Sequence, residues 1–570
     1  MSVSNKRARW IGLGLAVFAF LFLFITRSVE QYGDSLNYAQ SAKTGRDLFH
    51  PHHILYNVVI RGFYLAGNAV APGIDAVAAA QIHNILWACL AVAAVFGILF
   101  RWFGSIRPAV AGALGLLLAQ GFWEYATQTQ IYVPALGVLA LLVWVLSGPP
   151  SRLFEPVTCG AAAVLWAAAI GYHQSNIMLA IPLAVYFLAA GGRRAWKPLA
   201  GVFIAAGAIV IAGYLAVYAA VGGPPTLGGF FRYALAYTAH PDPGWGTFRN
   251  VSPAGLGRAV LSQLSNVMPV FKAVKIPMGI AFAAWLAFLG GWNIDRIRRR
   301  ADSAPLRAFL LTWLAAHFAF FWWWSPDEKN MFIISLLPMI LLAFVTWRDW
   351  AGSRPRANRR PALAAAAALL VYTAAAVLNF AAVIRPLRVS RGAFYETARL
   401  LNECVPTDEM LLTGWSVQQH LAYHFDRGRV LQAELVPQSL LAGIPPAAEF
   451  GAVRDHPVFL SPGYIVPDAH VMNVGGYDHP RVWRRWLEWL FGLEIGPRGE
   501  PVSCRAFESK PCAGGGIRLR MDRWRIAGWT DFLARLDEAC SQSGMDFNPH
   551  SFRDWWRETG GGESDQDLRE

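Results

Sequence analysis

The segment from Tyr32 to Asn57, YGDSLNYAQSAKTGRDLFHPHHILYN, follows the first long apolar run and packs ionisable side chains into one loop's length. Asp34 stands near its start, and His50, His52 and His53 crowd its end. Titratable residues at the mouth of a membrane span are costly to keep there, so they mark a functional site by default. A carboxylate in that setting is a candidate general base, able to take a proton from a hydroxyl nucleophile. It is equally a candidate helix N-cap, because Gly-Asp-Ser-Leu-Asn-Tyr is a good helix start. The two roles are compatible, since a capped helix holds the carboxylate still. The histidines can ligate a metal or bond sugar and phosphate oxygens. Pro51 predicts an extended segment in which His50 and His52 share one side and His53 faces away, so that only a pair converges.

Such a loop needs a frame. The chain has 570 residues, 55% hydrophobic and 15% charged, with a mean hydropathy of +0.34. Those values exclude a disordered chain and argue against a soluble multi-domain enzyme. Eleven apolar runs approach the roughly 20 residues that a bilayer requires. They lie at about 10–26, 74–100, 108–123, 131–147, 157–171, 175–190, 198–221, 276–292, 305–324, 330–347 and 361–384. The formal charge of +13 does not point to nucleic acid, because the cations occupy every second loop. Lys6, Arg7 and Arg9 precede the first run, Arg101 and Arg107 follow the second, and Arg193, Arg194 and Lys197 follow the sixth. Arg296, Arg298, Arg299 and Arg300, then Arg348 and Arg354, continue the alternation. This positive-inside pattern predicts a multi-pass protein of the inner (plasma) membrane. Its N-terminus is then cytoplasmic, and everything after Ile384 is periplasmic or extracellular. Residues 54–70 are also apolar, but Arg61 at their centre predicts an amphipathic helix lying on the outer surface.

The expected fold class is therefore mostly α: a polytopic membrane protein with about eleven transmembrane helices, plus a small external α/β C-terminal domain. The expected domains are 1–384, with an external loop at 27–73, then 385–557, and a flexible tail at 558–570. MLLTGWSVQQHLAYHF and HPVFLSP read as short strands feeding helices, and PRVWRRWLEWLFG as an amphipathic helix. Cys404, Cys504, Cys512 and Cys540 fall in the external part, where three pairings are open to them.

With that orientation the external turns can be collected. FWEYATQTQIY supplies Glu124 and Tyr125, GYHQSN supplies His173 and Gln174, a Gly- and Pro-rich loop supplies Arg232 and Arg249, and FFWWWSPDEKN supplies Lys329. Glu, His, Gln and Tyr both donate to and accept from sugar hydroxyls, whereas the opposite turns hold little besides arginine, glycine and proline. Sugar transfer requires a base, tolerance of an oxocarbenium-like centre and a cation for the leaving phosphate. Lys272, Lys275, Lys329, Arg232 and Arg249 are candidates for the last, and Lys329 is preferred because acids and aromatics surround it in a tight turn. Lysines at an interface otherwise snorkel to lipid headgroups. Glu124 is a second candidate acid; its plainer reading is an ordinary interfacial carboxylate. No cofactor is required. A divalent cation, Mg2+ or Mn2+, on Asp34 and Glu124 is the one these residues could take.

YGDSLNYAQ followed by HPHHILYN, with FWEYATQTQIYVPAL and WSPDEKNMFIISLLP downstream, resembles the GT-C superfamily of polytopic glycosyltransferases. That superfamily includes protein O-mannosyltransferases, lipid A aminoarabinose transferases and mycobacterial arabinosyltransferases. The resemblance covers about the first 350 residues in layout. It implies a polyprenyl-phosphate-linked sugar donor, a glycan, lipid or protein acceptor on the external face, and inversion at the anomeric carbon. It gives Asp34 the base role and Lys329 the phosphate role. Tyr125, His52, His53, Glu124, His173, Gln174 and Arg232 then bind substrate. Many relatives carry two adjacent acids in the first loop, whereas here Ser35 follows Asp34. Two other classes remain open: a transporter or lipid flippase of envelope precursors, and a non-catalytic envelope assembly factor. No internal repeat supports the former.

Overall fold

The computed structural model describes residues 3–148, 152–236, 246–299, 303–352 and 373–404, and beyond these 407, 410–413, 415–428, 430–432 and four short strands. The chain divides into two compact units, residues 1–390 and 391–570.

The first unit is a bundle of apolar helices. Among the described residues six helices are long and apolar enough to cross a membrane, or seven if one bent pair counts as a single span. They begin with α1 (Val3–Ile25). After it come the short α2 (Gly33–Thr44) and α3 (Tyr56–Val70), and then α4 (Ala76–Phe103). The bent pair is α5 (Ile106–Leu117) and α6 (Gln120–Ala126), which meet at 63°. α7 (Tyr132–Leu146) and α8 (Pro156–Tyr172) are apolar but shorter than a full crossing. The apolar stretch 174–220 is divided at Gly192 (φ 55°) into α9 (Ala180–Gly191) and α10 (Trp196–Ala220). α9 packs against a later helix and α10 against α8. α11 (Leu227–Ala234) and α12 (Pro253–Ser265) precede three long helices: α13 (Lys275–Arg298), α14 (Ala304–Trp324) and α15 (Leu336–Gly352). The expected eleven crossings are thus not all matched by helices of spanning length, and the first half of the expected run 361–384 lies outside the described residues.

Lipid tails are as apolar as leucine, so burial alone does not hold such helices together; close packing and polar contacts must. α4 lies between α1, α5 and α7. Gly137 lets α7 approach, since a Cβ there would sit 2.9 Å from both the ring and the carbonyl of Trp87. Large apolar side chains such as Leu13, Leu21, Ile204, Ile211, Ile276 and Ile280 are left on the outer surface, as a lipid-facing bundle requires.

Polar fasteners hold the arginine-rich end. Arg307, 1% exposed at its side chain, donates to Asp349 Oδ2 at 2.7 Å, to Asn293 Oδ1 at 2.7 Å and to Ser303 Oγ at 2.7 Å. Three helices are joined there through one guanidinium, whose planar fork suits several acceptors at once. Arg307→Met leaves Asn293 Oδ1 without its donor and Asp349 with Arg296 alone at 3.4 Å, at a cost of about 2 kcal/mol. The apparent Tm in detergent is expected to fall by roughly 2–4 °C. An unchanged melting curve would show that the guanidinium is not a fastener.

α3 occupies the segment whose Arg61 predicted an amphipathic helix. Arg61 donates to the carbonyls of Ala42 (2.5 Å) and Lys43 (2.7 Å), so its charge meets the last turn of α2. Gly45, at φ 75°, closes that turn.

The second unit carries α17 (Gly392–Cys404) and α18 (Trp415–Phe425), the numbering counting a short α16 (Arg385–Val389) at the end of the first unit. Its strands β1 (Met410–Thr413), β2 (Val430–Gln432), β3 (Val458–Leu460) and β6 (Ile517–Leu519) form a sheet in the order β2-β1-β3-β6. The first two pairings are parallel and the last antiparallel. β4 (Leu493–Ile495) and β5 (Pro501–Cys504) pair antiparallel. The helix expected at 480–492, the tail 558–570 and the pairing of the C-terminal cysteines lie outside the described residues.

Candidate active site

α6 is the element on which the site is built. It starts where α5 breaks, and its first amides donate to the carbonyls of Val267 (Gln120 N, 3.2 Å) and Asn266 (Gly121 N, 2.9 Å). Only glycine fits at 121, because a Cβ would lie 2.0 Å from Asn266 Oδ1. So anchored, α6 points Glu124 into the protein. Glu124 is fully buried, and Lys329 Nζ donates to both of its carboxylate oxygens at 2.9 Å. Asn266 Nδ2 also holds the Lys329 carbonyl at 2.6 Å, which fixes the short 3-10 turn carrying the lysine. The reading of Glu124 as an ordinary interfacial carboxylate is therefore corrected. A carboxylate so deeply buried persists only with a matched cation. Lys329 keeps 34% of its side-chain surface, so the ammonium faces open space on one side. Its Nζ also lies 5.6 Å from the centre of the Tyr125 ring.

From Tyr125 the contacts run on to the histidines. Tyr125 meets Tyr132 edge-on (6.0 Å between centroids), Tyr132 lies 5.5 Å from His173, and Asn330 Nδ2 donates to the Tyr132 hydroxyl at 2.9 Å. The His173 ring shares a 2.6 Å hydrogen bond with Ser175 Oγ, and the Gln174 amide donates to the His52 carbonyl at 2.8 Å.

Asp34 is the second residue of α2. Tyr32 takes the N-cap position with no side-chain cap bond, so Asp34 is not the cap. The turn forms without it, leaving the carboxylate available. α2 is held by Gln130 Nε2, which donates to Ser35 Oγ at 3.0 Å, and by the Thr129 amide, which donates to Gln31 Oε1 at 3.2 Å. Gln81 and Asn84 on α4 brace the 127–130 loop from below: Gln81 donates to the Thr127 carbonyl, and Asn84 to those of Gln128 and Gln130, all at 2.7 Å. Sequence reading passed over these two. A cluster of Gln81, His83 and Asn84 in an otherwise apolar span was the available signal.

Burial pushes the Asp34 carboxyl up to about 6, with Glu328 adding to the rise. Glu30 is raised by burial and then by Glu124, and Glu328 by burial and Asp327, against the opposing pull of Lys329. Glu30 and Glu328 were not singled out in the sequence; both bear on the charge balance around the Glu124–Lys329 pair. Burial lowers His50 and His173 to about 4 and holds His52 and His53 well below the usual range, so all four imidazoles are neutral near pH 7.

The HPHH segment departs from the sequence expectation. The His53 amide donates to the His50 carbonyl at 3.1 Å, closing a turn with Pro51 in its second position. Proline pre-sets the backbone angle that position needs, and a turn, unlike a strand, brings all three rings to one side. Their centroids lie 4.4 Å (His50–His52), 4.4 Å (His50–His53) and 5.5 Å (His52–His53) apart.

Arg232 is exposed on α11, and among the described residues no contact ties it to this cluster; Arg249, Lys272 and Lys275 are exposed too. The Mg2+ or Mn2+ site on Asp34 and Glu124 does not fit these residues. Both Glu124 oxygens are taken by Lys329, and the metal-competent group found among the described residues consists of the three histidines.

Along α5 and α6 runs an apolar groove of about 1060 Å³. Phe22, Ile106, Leu114, Trp123, Phe344 and Val377 line it, and only Thr26, Arg107 and Thr373 interrupt the apolar wall. It extends along α5 from Arg107 to Leu118 and reaches α6 at Trp123, the residue before Glu124.

No protein-family model matches the sequence, and no curated protein sequence matches it. Solved structures do match in fold. ArnT from Cupriavidus metallidurans bound to undecaprenyl phosphate superposes with a TM-score of 0.52 at 14% identity, over 82% of this chain and 95% of that one. The apo form of ArnT gives 0.53 at 13% identity, over 90% and 98%. The archaeal oligosaccharyltransferase AglB from Archaeoglobus fulgidus, in complex with an inhibitory peptide and a dolichol-phosphate, gives 0.51 at 13% identity, over 98% and 86%.

Proposed function

Starting from the fact that this chain has the GT-C fold of polytopic membrane glycosyltransferases, we propose that it transfers a sugar from a polyprenyl-phosphate carrier to a hydroxyl acceptor. The observation that carries this reading is a fully buried glutamate on α6 held by one partly exposed lysine, on the helix whose Trp123 lines an apolar groove, with a carboxylate of raised pKa on α2 of the same unit.

The polyprenyl tail lies in the groove, where each buried CH2 contributes about 0.8 kcal/mol. The phosphate sits against Lys329, whose open face compensates charge as the carrier leaves. Asp34 takes the proton from the acceptor hydroxyl. The acceptor oxygen bonds to the anomeric carbon from the face opposite the phosphate, and the bond from that carbon to the phosphate oxygen breaks. The configuration inverts, and free polyprenyl phosphate is released. A base with a pKa near 6 is ionised at pH 7 yet still basic enough to accept a proton, which is the compromise general-base catalysis favours. Tyr125, His173 and Gln174 offer donors and acceptors for the sugar. The site faces outward, in the inner membrane, in keeping with the alternation of basic loops. AglB was captured with both a peptide and a dolichol-phosphate; for this chain a glycan, lipid or protein acceptor all satisfy the chemistry.

Ala111→Trp fills the groove without touching Asp34 or Lys329. Affinity for polyprenyl phosphate, measured by native mass spectrometry in detergent, is expected to fall at least tenfold. Unchanged retention of the carrier would remove the groove from the mechanism.

A further inference from the structure

We infer that His50, His52 and His53 form a three-imidazole site for a borderline transition-metal ion of the Zn2+ class. Their ligand atoms all lie within 4.8 Å of one another. Four-coordinate zinc with nitrogens at about 2.0–2.1 Å needs neighbouring nitrogens about 3.3 Å apart, so modest ring rotations complete the set. A second observation points the same way. His53 is 1% exposed, yet its Nδ1 has no hydrogen-bond partner. A buried nitrogen without a hydrogen-bond partner, on an imidazole that belongs to a cluster of three, lacks what a cation would supply.

The backbone around the rings is also fixed in advance, as a metal site requires. The Tyr214 hydroxyl donates to the Pro51 carbonyl at 2.7 Å, the Gln174 amide to the His52 carbonyl at 2.8 Å, and the Leu55 amide to the Gly171 carbonyl at 3.0 Å. α8 and α10 therefore grip the turn on both sides of the histidines. The ligand set is all imidazole, which suits Zn2+, Co2+, Ni2+ or Cu2+ and not Mg2+ or Ca2+, whose ligands are oxygens. Three protein ligands leave a fourth position open for water or an anionic oxygen. This site is separate from the Glu124–Lys329 pair, and its occupancy does not depend on the transfer reaction.

The test uses full-length protein without a polyhistidine tag, stripped with chelator and titrated with Co2+ as an optical probe. One Co2+ per chain, giving the visible absorption of a four-coordinate ion that Zn2+ abolishes, is the expected result. His53→Ala and His52→Ala are expected to weaken Co2+ binding at least tenfold. X-ray absorption on Zn2+-loaded wild-type protein needs no variant; it should give three nitrogen ligands at about 2.0 Å. Absence of the cobalt spectrum, equal binding by His53→Ala, or an all-oxygen first shell would overturn the assignment.

Discussion

Asp34→Asn is expected to lower the turnover of a polyprenyl-phosphate-linked sugar by about 10³-fold, within the range general-base catalysis supplies, with carrier affinity unchanged. The amide is the same size as the carboxylate but accepts no proton. The same substitution should raise stability at neutral pH. The folded protein holds the Asp34 pKa near 6, above the ordinary aspartate value of 3.8, so its charge opposes folding at every pH above 6. That cost falls away as the pH drops from 6 towards 4 and the group protonates in the native state. The asparagine variant should therefore melt higher than wild type at pH 7.5 and level with it near pH 4. In the wild-type enzyme, activity should decline as the pH falls through about 6. A variant that keeps wild-type turnover would remove Asp34 from the chemistry, and one that is inactive but melts lower would indicate a structural role instead.

The second large effect concerns the buried ion pair. Lys329→Met should cost about 10²–10³ in turnover through loss of the cation at the phosphate. It should also cost about 3–5 kcal/mol of stability, because Glu124 is left charged and fully enclosed. The two losses separate in a double variant. Adding Glu124→Gln removes the stranded charge, so Glu124→Gln/Lys329→Met should recover most of the stability and none of the turnover. Recovery of both would mean that the lysine serves only to neutralise the glutamate. Neither is expected to recover if the pair is dispensable, since neither would then have been lost.

Legibility from sequence followed the range of the interaction. The apolar runs show because each helix must satisfy its own backbone in lipid, a local requirement written in local composition. Arg61 could be read as the centre of a surface helix for the same reason; that it would meet the end of α2 could not. Glu124 and Lys329 are 205 positions apart, and nothing local in FWEYATQTQ announces that its glutamate turns inward. That follows from the break between α5 and α6 and from the side chain of Asn266, against which only Gly121 fits. The histidines were misread for a different reason. Proline is compatible with both an extended strand and the second position of a turn. The choice was made by contacts from Tyr214 and Gln174, more than 100 residues downstream. The place of Asp34 beside the first span is plain in the sequence, but that Tyr32 and not Asp34 holds the N-cap position is not. Glu30, Glu328, Gln81 and Asn84 act on the site through neighbours distant in the chain, and sequence order gives them no prominence.

The most direct measurement is to reconstitute the purified protein in liposomes, supply a panel of polyprenyl-phosphate-linked sugars with candidate acceptors, and follow the bond between the anomeric carbon and the phosphate. Release of free polyprenyl phosphate, with the sugar on the acceptor in the opposite anomeric configuration, is the expected outcome. Movement of the intact carrier-linked sugar between leaflets, with that bond unbroken, would contradict it and make the protein a flippase.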